Sequence, residues 1–330
     1  NTGVGYGALV SNSSGNNNTA LGFYTGYFNT TGHNNTSLGA KAGHKTNSGG
    51  NNTSVGQNAM HLNTCGNYNV AVGTSAMYTT SGNQNTAVGY LSLYKNTVSD
   101  NTAVGAYTLA CNTTGTYNTA VGYASQNYTN TGGGNTSLGR QALYLNNDGG
   151  AHNVAIGTFA MLDNTSGSCN VAVGTCALCD NTTGGNNVAV GWRSLYNNTT
   201  AGSNVAMGRE ALVSNTTGAQ NVAVGHTSLY TNITGSCNVG IGVCALYTAN
   251  AADNTAIGTH AMRYNTVGTN NVALGVYALR TNTTGKENTA IGAHALCTSD
   301  SIYNTAVGAY ALCTNADGGY NVGIGRSALM

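Results

Sequence analysis

The chain repeats a five-residue phrase twenty times, and this repeat constrains the fold more than any other feature of its 330 residues. Each copy reads Asn, then Thr or Val, then a small residue, then an aliphatic residue, then Gly; the first begins at Asn1 and the last at Asn321. Of the nineteen steps between copies, fourteen are 17 residues, four are 16 and one is 18. A fixed short period indicates one structural unit stacked on itself. We therefore expect a single continuous array over residues 1–330, without linker or capping repeats, as in a segment of a longer fibre.

The columns of the repeat favour short strands over helices. With the motif Asn as position 0, position 4 is always Gly and position 8 is Leu or Met in seventeen copies. A Gly in every turn would cost a helix about 1 kcal/mol each. Runs such as residues 102–104 and 228–230 fit strands, and Asn-Thr-Thr-Gly at positions 11–14 is typical of a turn. The sequence predicts an all-β parallel β-solenoid of about twenty 17-residue coils, with two short strands per coil.

Two columns are expected to be structural. The Asn at position 0 should form an amide ladder between coils, because identical side chains stack in register. The Gly at position 4 should form a corner that needs positive φ or close backbone approach. The ladder candidates are Asn18, Asn35, Asn52, Asn69, Asn118, Asn187 and Asn271, and the corner candidates are Gly22, Gly39, Gly122, Gly191 and Gly275.

The strand at positions 1–3 also bears on assembly. Successive strand residues face opposite sides, so we expect the aliphatic position 3 to fill the interior and the small position 2 to face outward. An outward face that stays small in every coil favours packing of another chain against it. The alternative is a coil so flat that both faces lie inside one chain. We expect self-association, as a homo-oligomer such as a trimer or as an end-to-end filament.

The phrase at residues 118–122, and its continuation into Ala-Leu at residues 271–279, resembles the head repeat of YadA-type trimeric autotransporter adhesins and of fibre-like β-roll surface proteins. The resemblance covers the whole chain, through Asn at position 0, the small residue at 2, the aliphatic residue at 3 and Gly at 4. It implies a left-handed β-roll with three chains in one rod, and a role in cell adhesion at a cell or virion surface.

Composition argues against several classes of function. Charged residues are 6% of the chain and the net charge is +1, so no basic face is present for nucleic acid or an anionic membrane. No apolar run approaches the length of a membrane span, so membrane insertion is not expected. The acidic and histidine residues are scattered, and no nucleophile is held beside a base by the repeat. We therefore predict no catalytic residues, no metal site and no cofactor.

Cysteines and Asn-x-Ser/Thr glycosylation sequons indicate an oxidising, extracellular setting, and the alternatives are free thiols and sequons that arise by chance. Cys297 and Cys313 share position 9 of adjacent coils, where stacked Cα atoms lie within disulfide range. Further disulfide candidates, at positions −1 and 6 of their coils, are Cys169, Cys176, Cys237 and Cys244. Buried free thiols are the alternative. Candidate glycosylation sites in the turn are Asn29, Asn112, Asn181, Asn198, Asn215 and Asn282, although any Asn/Thr-rich turn produces such sequons by chance.

Tyrosines recur at position 9, and Tyr78, Tyr94, Tyr230 and Tyr247 are candidates for a surface aromatic row. Such a row could stack on sugars or on a neighbouring filament, or could simply cover a ladder. The function we expect is a non-enzymatic, structural or adhesive component of an extracellular filament or surface appendage. The alternatives are glycan binding and ice binding. Ice binding would need a regular outward Thr array, whereas position 1 changes from Thr to Val between Asn153 and Asn238 and is expected to face inward.

Overall fold

The computed structural model describes residues 1–315 and 318–330, and the chain divides into two compact units, Asn1–Ser168 and Cys169–Met330. Each unit is a stack of coils in which strands pair in parallel with the equivalent strands of neighbouring coils. The predicted all-β parallel solenoid, with a repeat of about 17 residues, is confirmed.

The first unit contains ten three-residue strands, one from each repeat, and four two-residue strands. In chain order they are β1 (Thr2–Val4), β2 (Thr19–Leu21), β3 (Thr36–Leu38), β4 (Thr53–Val55), β5 (Leu62–Asn63), β6 (Val70–Val72), β7 (Thr79–Thr80), β8 (Thr86–Val88), β9 (Thr102–Val104), β10 (Thr119–Val121), β11 (Tyr128–Thr129), β12 (Thr136–Leu138), β13 (Leu145–Asn146) and β14 (Val154–Ile156).

In the part of the second unit that the structure describes, there are ten three-residue strands. They are β15 (Val171–Val173), β16 (Val188–Val190), β17 (Val205–Met207), β18 (Val222–Val224), β19 (Val239–Ile241), β20 (Thr255–Ile257), β21 (Val272–Leu274), β22 (Thr289–Ile291), β23 (Thr305–Val307) and β24 (Val322–Ile324). Pairing keeps the columns in register, so that Ala206 of β17 lies beside Ala189 of β16 and Ala223 of β18.

The second strand expected in each coil is largely replaced by turns. Residues 228–230, predicted as a strand, have turn conformation. Coils still bond to one another here, because the Leu229 N–H donates to the Ala245 carbonyl at 3.0 Å. Among the described residues, a regular second strand forms only at β5, β7, β11 and β13. The departure has a local cause: positions 6 and 8 adopt left-handed backbone, as at Arg193 (φ 54°) and Leu195 (φ 49°), which strand geometry excludes.

The two faces of the first strand are opposite to the expected ones. In β21, Ala273 at position 2 is 0% exposed, whereas Leu274 at position 3 is 45% exposed. The same pattern, a buried middle residue between two partly exposed ones, recurs in almost every three-residue strand. The prediction that the aliphatic residue fills the interior is wrong, and so is the prediction that the small residue faces outward.

The coil interior is too narrow for a branched side chain at position 2. At Gly240, a Cβ atom would lie 3.4 Å from the Ala245 carbonyl oxygen and 3.4 Å from Leu229 Cγ. Position 2 therefore meets position 7 of its own coil and position 8 of the preceding coil, leaving room for Ala, Ser or Gly. Leu or Met at position 8 supplies the bulk of the core; Leu195, Leu212 and Met262 are all 0% exposed.

The predicted Asn ladder is present, although most of its bonds run from side chain to backbone. The Asn204 Oδ1 accepts the backbone N–H of Asn221 in the next coil at 2.9 Å, and its Nδ2 donates to the Gly218 carbonyl of its own coil at 2.9 Å. One amide thus joins adjacent coils and closes its own coil. The predicted ladder residues are all buried: Asn18, Asn35, Asn52, Asn69, Asn118, Asn187 and Asn271.

The Gly at position 4 forms the predicted corner. At Gly191, φ is +130°, and an added Cβ would lie 2.6 Å from the carbonyl oxygen of Gly208 in the next coil. Both the backbone angle and the close approach therefore require glycine. The other predicted corners also have positive φ: Gly22, Gly39, Gly122 and Gly275.

The reversed faces lead to a direct stability prediction. Ala206→Val should lower the free energy of unfolding by about 2 kcal/mol, because the narrow interior cannot accept a larger side chain. Met207→Gln, one residue later on the outward face, should change it by less than about 0.5 kcal/mol. Urea unfolding of both variants followed by circular dichroism measures the difference. A larger loss for Met207→Gln than for Ala206→Val would contradict the assignment of faces.

Candidate functional site

The outward strand face forms a regular surface that runs along each unit. Positions 1 and 3 both point out of the coil, as shown by Val272 (39% exposed) and Leu274 (45% exposed). In all twenty copies position 1 is Thr or Val and position 3 is Val, Ile, Leu or Met, so neither position ever carries a charge. The face is therefore an uncharged strip of two parallel rows, and we call it the strand strip.

The aromatic row lies on the coil segment that follows the Gly corner, and its members stack. Tyr78 and Tyr94 have ring centroids 5.2 Å apart, and Tyr230 and Tyr247 are 5.0 Å apart. In the first unit the stack continues through His61 and His44, with centroids 5.0 Å and 4.8 Å apart. All four predicted tyrosines are half-buried. The rings of the row therefore cover one another between adjacent coils and remain partly exposed at the surface.

A second ring stack, not predicted from the sequence, occupies position 6 of the second unit. His260, Tyr277, His294 and Tyr310 follow one another with centroid distances of 5.3, 5.0 and 4.9 Å. Burial, followed by the charges of Arg263 and Arg280, lowers the pKa of His260. The column spacing, with His or Tyr at position 6 of four successive copies, was the available signal.

Arginines interleave with the rings of the second unit in two clusters. In the first, Arg193 and Arg209 contact the Trp192 ring at 5.3 and 5.0 Å and both approach Glu210, at 3.9 and 3.5 Å. The second cluster contains Arg263 and Arg280. Arg263 lies over Tyr247 and Tyr264, and Arg280 lies over Tyr264 and Tyr277.

The predicted disulfides are not present in the structure, in which the six candidate cysteines are free thiols: Cys169, Cys176, Cys237, Cys244, Cys297 and Cys313. Cys297 and Cys313 do lie together, as their column predicted, and burial followed by the neighbouring Cys313 raises the pKa of the Cys297 thiol. Cys176 instead meets Cys179 of its own coil, and burial raises its pKa. Cys169 and Cys237 are exposed, and Cys244 is half-buried against Thr227, 3.2 Å away.

The predicted glycosylation sites are not exposed. Position 11 is a second internal ladder, in which Asn198 Nδ2 donates to Asn181 Oδ1 at 2.8 Å and Asn215 Nδ2 donates to Asn198 Oδ1 at 3.0 Å. The side chains of all six candidates are 0–2% exposed: Asn29, Asn112, Asn181, Asn198, Asn215 and Asn282. The prediction of exposed acceptors is wrong, because the turn-like Asn-Thr-Thr-Gly run places its Asn inside the coil and only its Thr residues outside.

The Asp300 carboxylate is held by several hydrogen bonds in a turn of the second unit. Its Oδ1 accepts the N–H groups of Thr283 (2.8 Å), Thr284 (2.6 Å) and Gly285 (3.1 Å), and its Oδ2 accepts the Thr283 hydroxyl. Burial opposes ionisation, but these hydrogen bonds outweigh it and lower the pKa of Asp300 below its ordinary value of 3.8. The ionised form is therefore favoured by folding.

This shift gives a pH dependence of stability. Since the folded-state pKa of Asp300 is depressed, its contribution is complete above the unfolded pKa and is lost as the pH falls through the lower folded value. We expect Asp300→Asn to be less stable than the wild type at neutral pH, with the gap closing below about pH 4. Urea midpoints measured across this range test it. Asp253→Asn, an exposed carboxylate in the same unit, is the control and should show a smaller gap at every pH.

Within residues 1–315 and 318–330, no helix is long and apolar enough to cross a membrane. The same residues contain no group of three His, Cys, Asp or Glu side chains arranged to hold a metal ion. An open notch of about 380 Å³ lies beside Gly134, between Tyr117 and His152.

In comparisons with known proteins, no family model, no curated protein and no solved structure matches the chain.

Proposed function

We propose that this chain is a structural or adhesive component of an extracellular fibre or surface appendage, in which copies associate through the strand strip. The observation that carries the proposal is the uncharged strip itself, repeated without exception in twenty copies. A soluble surface normally places polar or charged side chains on the outward face of a strand. A face that stays apolar or Thr-bearing in every coil is typical of one that becomes covered.

The size of the strip supports this reading. Ten strands at a spacing of about 4.8 Å give each unit a strip about 48 Å long, and three residues per strand give it a width of about 10 Å. The product is about 480 Å², within the range of the largest patch on a typical monomer, which is often functional. It is more than half of the roughly 800 Å² per partner that a stable protein interface buries.

The occupant we assign to the strip is a second copy of the chain. Side chains along the strip recur at the strand spacing, and only a surface with the same spacing can match them coil after coil. An identical strip has that spacing by construction. Because the strip has no charge, like charges do not oppose the pairing of two copies. The resemblance to adhesin head repeats is consistent with such an assembly.

The internal ladders suit a mechanical role. Each coil contributes the parallel strand pairing, the position 0 amide and, in most coils, the position 11 amide, so its neighbours are joined by several buried hydrogen bonds. Stability in such arrays is approximately a sum of coil and interface terms, and length can increase without a larger core. A rod-like spacer or fibre segment requires this property, whereas a catalytic site does not.

The test is the solution mass of the chain. We expect the wild type to have the mass of two or more chains by sedimentation at micromolar concentration. The variant Ile257→Lys, Leu274→Lys, Ile291→Lys, which places three charges on adjacent coils of the strip, should have the mass of one chain. Reductant in a parallel run shows whether the exposed thiols of Cys65, Cys169 or Cys237 also join chains.

A matched control keeps the number of new charges but moves them to the exposed turn, as Thr217→Lys, Val267→Lys, Thr284→Lys. This variant should keep the wild-type mass. A wild type with the mass of one chain, or equal dissociation in both variants, would rule out the strip as the interface.

Ice binding is a second candidate because position 1 faces outward, whereas the sequence had predicted that it faces inward. In the first unit its side chains are partly exposed and are Thr in eight of ten strands, which makes a regular outward Thr row. In the second unit Val is more frequent in this row. Inhibition of ice recrystallisation at micromolar protein would favour this candidate. No effect at that concentration would exclude it.

A further inference from the structure

Arg263 and Arg280 place two positive charges side by side in a chain that has only ten Lys and Arg residues. Both occupy position 9 of adjacent coils, and the Tyr264 N–H donates to the Arg280 carbonyl at 3.0 Å, which fixes them in register. In the described part of the chain, neither arginine forms a salt bridge with a carboxylate. Two like charges held together without a counter-charge favour an anion from outside the chain.

The neighbouring rings orient the two guanidinium groups. The Tyr264 ring lies 5.3 Å from Arg263 Cζ and 5.9 Å from Arg280 Cζ, so the arginines share it. Tyr247 contacts Arg263 and Tyr277 contacts Arg280 on their other sides. Stacking of this kind uses the flat faces of a guanidinium and leaves its N–H edges to donate in a forked geometry. Both arginines are half-buried, so part of each side chain remains at the surface.

The chain contains an internal comparison. Arg193 and Arg209 also stack on a ring, that of Trp192, but their charges converge on Glu210, whose side chain is only 13% exposed. Glu210 therefore offsets one of the two positive charges of the first arginine pair, and the second pair has no such carboxylate among the described residues. The difference between the two clusters is the missing acid, which an external anion would supply.

The other charged groups near Arg263 and Arg280 do not supply a counter-charge. His260 lies on the same coil as Arg263, and its pKa is lowered first by burial and then by the positive charges of Arg263 and Arg280. The acidic group of the neighbouring turn, Asp300, is engaged by Thr283, Thr284 and Gly285. The Asp300 carboxylate is therefore hydrogen-bonded within the turn and forms no salt bridge with Arg263 or Arg280 among the described residues.

We propose that Arg263 and Arg280, with Tyr247, Tyr264 and Tyr277, bind the sulfate or carboxylate groups of an anionic polysaccharide. Two guanidinium forks one coil apart suit closely spaced anionic oxygens, and the tyrosine rings supply flat apolar faces for sugar C–H groups. This assignment rests on the adhesive form of the proposed function and gives it a ligand class.

The experiment measures binding of the full chain to immobilised dextran sulfate, with neutral dextran and free inorganic sulfate as further arms. We expect dextran sulfate to bind and neutral dextran not to bind. Arg263→Gln, Arg280→Gln should weaken binding at least tenfold, whereas the matched control Arg193→Gln, Arg209→Gln should change it less than twofold. Circular dichroism and solution mass establish that each variant keeps its fold and assembly.

The three ligands and the two double variants together distinguish a specific site from attraction by net charge. Equal weakening in both double variants would overturn the site, because it would show attraction by net charge alone. Competition by inorganic sulfate at concentrations comparable to those of the polysaccharide sulfate groups would overturn the polysaccharide assignment. If the double Gln variant loses its fold, Arg280→Gln alone is measured, with an expected loss of threefold or more; no loss would overturn the proposal. Since mass is recorded separately, failure to bind is distinguishable from failure to assemble.

Discussion

Replacing Asn204 by leucine is expected to lower the free energy of unfolding by about 3 kcal/mol, since both of its hydrogen-bonding roles are lost. Asn204 and Asn221 are both fully buried. The Asn221 N–H, which donates to Asn204 Oδ1, would therefore lose its acceptor without gaining a hydrogen bond to water. The Gly218 carbonyl would keep the bond from Asn215 Nδ2 at 2.9 Å, so the larger part of the loss comes from the N–H group. Leucine has a similar volume, so the effect reports hydrogen bonding more than cavity formation.

The measurement is backbone hydrogen exchange, because in a stacked array the effect should remain near the altered coil. Amides of β17 and β18 should exchange about 100-fold faster than in the wild type, and those of β22 should be unchanged. Asn197→Leu, at a half-exposed position of the preceding coil, is the matched control and should alter exchange little. Uniform acceleration in all strands would contradict a local ladder role.

Gly208→Val is the second change with a large expected effect. Gly208 has φ +137°, and a Cβ would lie 2.6 Å from the carbonyl oxygen and 2.7 Å from the carbonyl carbon of Gly225. A β-branched residue meets both the backbone strain and the contact with a neighbouring main chain, so we expect a loss of more than about 3 kcal/mol. A lower urea midpoint, or loss of soluble protein, is the readout.

Gly240→Ala tests whether glycine is required by the corner geometry of Gly208 or only because a small residue is needed. Gly240 lies at position 2, where most copies have Ala, and the nearest atom to a new Cβ is the rotatable Ser228 hydroxyl. We expect a change of less than about 1 kcal/mol. A loss at Gly240 as large as that at Gly208 would show that the corner geometry is not what requires glycine.

Several features of the fold could be predicted from the columns alone. The invariant Asn at position 0 and Gly at position 4 each have one physical explanation in a stacked coil, and both are found as expected. Parallel pairing follows from the period, because each coil returns to the same edge. The ring stacks at position 9 follow as well, since identical columns place Tyr78 beside Tyr94 and Tyr230 beside Tyr247.

Other features depend on distances that a column cannot express. Alternation along a strand shows that positions 2 and 3 face opposite sides, but not which side is inside. The assumption that the larger residue is buried fails here, because the walls of the coil approach so closely that position 2 touches positions 7 and 8. The Asn at position 11 resembles an exposed turn residue for a related reason: only the closed coil places its amide beside the position 14 carbonyl, as for Asn215 and Gly218.

The left-handed corners are the least visible feature in the sequence. Leu195 and Leu212 adopt φ of 49° and 51°, which leucine rarely does, and the column offers only a weak signal, the glycines Gly26 and Gly43 at position 8 of two copies. The hydrogen bonds of the two neighbouring coils and the burial of the leucine hold the backbone there, so the surrounding structure determines a conformation that local preference disfavours.

The sequence by itself determined the repeat, the parallel solenoid, the Asn ladder and the Gly corner, because each depends only on which residues recur at which spacing. The tertiary structure alone decided which face is covered by core, where the second Asn column lies and which cations have partners. These depend on the width of the coil interior and on side chains brought together from different coils. The strand strip and the unpaired arginines, from which the functional proposals follow, belong to this second group.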